Sequence, residues 1–177
     1  MNFEPKYLIR WGIPGWIFTL TIVPFLTVVF SESLPQEFIE KNIFVVGTTV
    51  ALIGVPVGYF LNQLQFLITW VIPKAFNKSW ETYFDNEYKI NSRFKDNQEY
   101  KDRYRYLLAK KHEVGSILSG FGLSTMIIFM INLVQFSSEV FNWIYFLIVL
   151  LLFGAWGCLF LYASQNILHY SKKIEEN

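Results

Sequence analysis

A single cysteine, Cys158, and two histidines, His112 and His169, are all the thiol and imidazole this 177-residue chain carries. One thiol cannot close an intrachain disulfide, so no disulfide framework holds the fold, and inside its apolar run Cys158 reads as a small packing residue. Charge is also scarce. Asp, Glu, Lys and Arg make up 16% of the residues, against about 25% in an ordinary soluble domain. His112-Glu113 is not followed by a second His at metalloprotease spacing, and there is no phosphate-binding glycine loop, no G-x-S-x-G elbow and no Cys pair. These absences exclude the common metal, nucleotide and serine-hydrolase chemistries, so no cofactor is expected and the chain does not read as an enzyme.

What is present is apolar. Hydrophobic residues account for 53% of the chain and aromatic ones for 19%, and they gather in four charge-free runs. Residues 11–30 hold 20 uncharged residues, long enough to cross a bilayer core about 30 Å thick. A signal peptide is the competing reading, with Ser31-Glu32-Ser33 as a faint cleavage site, but a run this long containing Pro14 and Pro24 fits a retained helix better. Pro14 is expected at the start of that helix and Pro24 inside it, where it should kink the chain. The second run, Ile43 to Pro73, has 31 residues without Asp, Glu, Lys or Arg and as one helix would reach roughly 45 Å. Residues 115–136 and Trp143 to about Ala163 supply the third and fourth.

Between the second and third runs, Lys74 to Glu113 carries ten Lys or Arg against seven Asp or Glu, interleaved with aromatics. Residues 97–113 read as a helix closed by Gly115, with Tyr100, Tyr104, Leu107, Leu108 and Lys111 on one packing face. Fourteen of the fifteen Lys and Arg fall in the N-terminus, this segment and the C-terminal tail; Lys41 is the exception. The positive-inside rule therefore expects a multi-pass inner-membrane protein with both termini and the 74–113 segment cytoplasmic. The expected fold is all-α, an integral membrane four-helix bundle with a cytoplasmic helical hairpin between spans 2 and 3. Its parts are a transmembrane hairpin (1–73), the basic and aromatic segment (74–114) and a second transmembrane hairpin with a short tail (115–177).

Three sets of residues are functional candidates. Gly54 with Gly58, and Ser116 with Gly120, repeat the four-residue spacing that lets helix backbones approach closely in lipid, within one subunit or between subunits of a homo-oligomer. Asn62, Gln65 and Thr69 form a polar stripe beside Gln63, suited either to interhelical hydrogen bonds or to the lining of an aqueous pore. No span contains a charged residue, which argues against a proton-coupled transporter. Arg103, Arg105, Lys110 and Lys111 offer a basic surface for a soluble protein partner or for lipid headgroups, with RNA the less favoured ligand.

Arg105 and His112 stand two helical turns apart on one face, a spacing that resembles the R-x(4–6)-H pattern of HEPN-type ribonucleases. The size, the four spans and the basic, aromatic insert resemble small membrane accessory proteins of bacterial antiviral systems, such as the one that accompanies type VI-B CRISPR effectors. That resemblance implies an oligomeric pore that permeabilises or depolarises the cell, with degenerate HEPN-like residues. A membrane-anchored adaptor whose cytoplasmic hairpin docks a soluble protein is the alternative, and a ribonuclease the third reading.

Overall fold

The computed structural model describes residues 5–30, 43–77, 80–93, 98–134 and 139–176. Residues 31–42, with Lys41 and the Ser31-Glu32-Ser33 site, and residues 135–138 lie outside the described residues. Among the described residues all but Phe30 and Glu139 are helical. The elements are α1 (Pro5–Val29), α2 (Ile43–Phe66), a π-helical turn (Leu67–Val71), α3 (Ile72–Asn77), α4 (Trp80–Arg93), α5 (Gln98–Val134) and α6 (Val140–Glu176). Among the described residues, four helices are long and apolar enough to cross a membrane.

Proline shapes the first two rods. α1 begins at Pro5, whose fixed φ and missing N–H suit a first helical turn. Pro14 therefore falls in the helix interior rather than at its start, and it is fully buried. It lies against α5, with the Pro14 carbonyl 3.2 Å from where a β-carbon on Gly120 would stand. In α2 the rod continues past Phe66, but ahead of Pro73 the turn widens and the Ile72 N–H donates to the Leu67 carbonyl, five residues back. Pro73 cannot donate, and its ring would press on the Thr69 carbonyl four residues back. The wider turn relieves that contact, so the second span is one rod with a π turn in it.

The contacts alternate the direction of the helices. Trp11 packs edge-on against Tyr59 with centroids 5.3 Å apart, and the Trp16 indole N–H donates to the Ala51 carbonyl at 2.8 Å, so α1 and α2 are antiparallel. Gln65 lies over Gly115 and Leu61 beside Gly120, which makes α2 and α5 antiparallel. Phe129 meets Phe146, Phe121 meets Trp156 and Tyr100 meets Tyr170, so α5 and α6 run antiparallel along their full lengths. The start of α1, the end of α2, the start of α5 and the end of α6 thus share one end of the molecule.

The core is a column of Ile22, Phe25, Ile117, Phe121, Ile128 and Val149. The Tyr145 hydroxyl donates to the Thr21 carbonyl at 2.7 Å, one residue past the Leu20 carbonyl that Pro24 leaves unserved. Threonines close locally: Thr19, Thr21 and Thr49 each donate to a carbonyl four residues back, which satisfies the hydroxyl without water. Outward, the helices are apolar. Leu52 is 69% exposed and Leu151 is 73% exposed, and only 6% of the most apolar window of α6 is buried. Continuous apolar surface of this extent demands an apolar surrounding.

Gly115 does not close the basic helix. α5 runs unbroken from Gln98 to Val134, because Gly115 is buried at a helix–helix contact, where its missing side chain admits the Gln65 amide. α6 likewise continues past Ala163 to Glu176. At about 1.5 Å per residue, each of these 37-residue helices is roughly 55 Å long.

Candidate functional site: a polar stripe, an apolar groove and a basic end

Asn62 and Gln65 face α5. The Ser116 hydroxyl lies 2.7 Å from Asn62 Oδ1 and 2.8 Å from the His112 carbonyl. One hydroxyl hydrogen serves one acceptor at a time. Turning the Asn62 amide over lets its Nδ2 donate to Ser116 Oγ while the hydroxyl donates back to His112. Gln65 is 2% exposed; its Nε2 donates to Thr69 Oγ1 at 3.0 Å, and the Thr69 hydroxyl donates to the Gln65 carbonyl at 2.7 Å. The remaining amide oxygen, Gln65 Oε1, is buried without a hydrogen-bond partner, an arrangement that costs about 1–3 kcal/mol. Gln63 and Thr69 are exposed.

The small residues draw three helices together. A β-carbon on Gly15 would overlap the Gly54 carbonyl, and one on Gly58 would overlap the Trp11 carbonyl. Gly54 takes the Trp16 indole, Gly120 takes the Pro14 carbonyl and Ser116 takes Asn62. In this chain, then, Gly54, Gly58, Ser116 and Gly120 are all occupied by contacts within one subunit.

Beside the stripe, α2 and α6 flank α5 and leave a furrow of about 330 Å³. Its floor follows α5 from Gly115 to Met126, and Phe153 and Phe160 form one wall. Gln65, Thr69 and Ser119 give one end of the furrow its polar groups, whereas Leu123, Met126 and Phe153 make the other wholly apolar. The residue pattern alone did not expose this groove. Gly122 is the signal that was available, since its missing side chain leaves room against Phe153, 3.0 Å from the position of a β-carbon.

The basic end is built by pairing the overhangs of α5 and α6. Leu107 is buried, Tyr104 packs with Ile174 and Tyr170, and the Arg103 guanidinium lies 5.8 Å from the centre of the Tyr170 ring. Arg105 is exposed, and Lys111 and His112 are half-buried. Lys110 reaches Glu113 at 3.4 Å, a solvent-facing pair of small worth. Arg105 and His112 remain two turns apart on one helix. α4 rests on α6 and is tied to the end of the second rod by Trp70 on Trp80 at 6.3 Å; within the rod Phe66 stacks on Trp70 at 5.3 Å, and within α4 Trp80 stacks on Phe84 at 6.2 Å. The Lys74 ammonium sits 5.6 Å from the Trp70 ring centre. Among the described residues, no three His, Cys, Asp or Glu side chains gather where they could hold a metal ion.

No family model matches the chain, and neither a curated protein nor a solved structure matches it.

Proposed function

We propose that the chain is a multi-pass inner-membrane protein, a four-helix membrane bundle with both termini cytoplasmic, that holds a helical platform at the cytoplasmic face for a soluble partner. The observation that carries this reading is the excess length of α5 and α6. Each exceeds a bilayer core of about 30 Å by roughly 25 Å, and the excess is a packed two-helix stalk that presents Arg105 and Lys110 outward. Trp70, Trp80 and Lys74 mark the level where the stalk leaves the membrane, since indoles and lysines favour the headgroup layer. The function is anchoring and docking, without catalysis.

The test places a photo-crosslinking amino acid beside Arg105 in cells. A discrete adduct that disappears with Arg105→Glu and Lys110→Glu is the expected result. Absence of any adduct on the stalk, with the chain correctly inserted, removes the docking reading.

An oligomeric pore in antiviral defence is the second reading, supported by the exposed Gln63 and by apolar outer faces on which subunits could pack. For Asn62 and Gln65 to line its lumen, their contacts with Ser116 and Gly115 have to be exchanged for water. Conductance of the purified chain in planar bilayers, altered by Gln63→Leu, would favour the pore over the platform. A ribonuclease requires RNA cleavage lost on His112→Ala.

A further inference from the structure

The groove between α2, α5 and α6 has the polarity of one leaflet of a bilayer. Its polar end holds Gln65, Thr69 and Ser119, about one helical turn from the first cation on α5, Lys111, and a similar step before Lys74 on the other rod. From there it descends along α5 past Gly122 to Met126, roughly 16 Å into the charge-free run. Neither Asp, Glu, Lys, Arg nor His lines it, so nothing in it neutralises a charged head. Its rim residues Ile68 and Met126 are 53% and 64% exposed, to the same surroundings as the apolar outer faces of the helices. An occupant therefore enters sideways from the bilayer rather than from water.

Two features at the polar end single out a hydrogen-bond donor. Gln65 Oε1 is buried with no partner, while its Nε2 is already committed to Thr69. The π turn at Leu67–Val71 carries Ile68 and Thr69 into the lining, and π turns inside α-helices are common at functional sites. The volume, about 330 Å³, is near the lower end of ligand pockets, which suits one acyl chain and not two.

From these observations we infer that the groove is a binding site for a neutral glycerolipid with a free hydroxyl, such as diacylglycerol. The hydroxyl donates to Gln65 Oε1, and one acyl chain lies along Gly122 and Met126 against Phe153. The site is independent of the platform: it lies within the membrane and uses no residue of the stalk.

The test uses the full chain in lipid nanodiscs with a diacylglycerol probe bearing a diazirine and an alkyne on one acyl chain. Saturable labelling, mapped to peptides containing Met126 or Phe153 and competed by unlabelled diacylglycerol, is expected. Met126→Trp and Ile68→Trp, both at the exposed rim, should each lower labelling by about tenfold through filling the furrow. Leu151→Trp, on the outer face of α6, should leave it unchanged. With the wild-type chain, the hydroxyl-methylated probe should label about fivefold less, because it cannot donate to Oε1. Labelling that never saturates, or that the rim variants do not reduce, overturns the site. Equal labelling by the methylated probe, or stronger labelling by an anionic phospholipid probe, overturns the assigned ligand chemistry.

Discussion

The carbonyl of Trp11 occupies the place that a β-carbon on Gly58 would need, and the carbonyl of Gly54 stands in the same relation to Gly15. Backbone cannot rotate aside as a long side chain can. Gly58→Ala and Gly15→Ala must therefore push α1 and α2 apart, at a cost of about 1–3 kcal/mol or more each. Gly154 has no atom within 4 Å of its β-carbon position, so Gly154→Ala should be neutral or gain about 0.5–1 kcal/mol in helix propensity. Thermal unfolding of the three variants in one detergent checks the contrast. Equal behaviour would show that the crossing of α1 and α2 is looser than described.

Ser116 and Asn62 join α5 to α2 by a hydrogen bond of 2.7 Å in an apolar setting. Measured couplings between such groups in membrane helices average about 0.6 kcal/mol and reach about 1.7. A double-mutant cycle with Asn62→Leu and Ser116→Ala should return a coupling within that range by denaturant titration in mixed micelles. Additive effects of the two substitutions would mean that the pair contributes packing alone.

The four apolar rods were legible in the sequence because charge-free runs of 20 or more residues leave helices as the only way to satisfy the backbone in lipid. The stalk was half legible. The packing face of Tyr100, Tyr104 and Leu107 follows from helical spacing, but its mate, Tyr170 and Ile174, lies some seventy residues away, where periodicity carries no information about pairing. Gly115 shows the limit in another way. As a sequence signal it resembles a helix stop, and only the Gln65 amide seated on it explains why the helix continues. The small-residue spacing at Gly54 and Gly58 announced a close approach, yet it did not say which rod approaches; the partner is Gly15 of α1.

α4 is held at the end of the second rod through the contact of Trp70 with Trp80, and Phe84 stacks on Trp80 within α4. Edge and stacked aromatic pairs contribute about 0.5–1.5 kcal/mol each beyond their buried area. Removing the middle ring with Trp80→Ala breaks the one pair that joins α4 to the rod and the one that stiffens its first turn, and should release α4 into more frequent local opening. Limited trypsin digestion reads this at the exposed Lys89, where cleavage should accelerate several-fold. Phe84→Ala removes only the pair within α4, leaves Trp70 on Trp80, and should give a smaller change. If Trp80→Ala leaves the cleavage rate unaltered, α4 is secured by α6 instead.

The Arg103–Tyr170 contact makes the most discriminating test of the stalk. The guanidinium is 5.8 Å from the ring centre, an interaction worth about 0.5–1 kcal/mol at an exposed site, while the phenolic oxygen is buried without a hydrogen-bond partner. The ring is therefore the useful part of this side chain and the hydroxyl is not. Tyr170→Phe keeps the ring and removes an unsatisfied polar atom, so stability should stay level or rise slightly. Tyr170→Ala loses the ring, the edge contact with Tyr100 and packing on Tyr104, for a loss of about 2 kcal/mol or more. Hydrogen exchange over residues 98–110 measures both: slower or unchanged exchange for the first, faster for the second. A Tyr170→Phe variant that loosens the helix as much as Tyr170→Ala would mean that the hydroxyl has a partner in solution and that the two overhangs are joined by it.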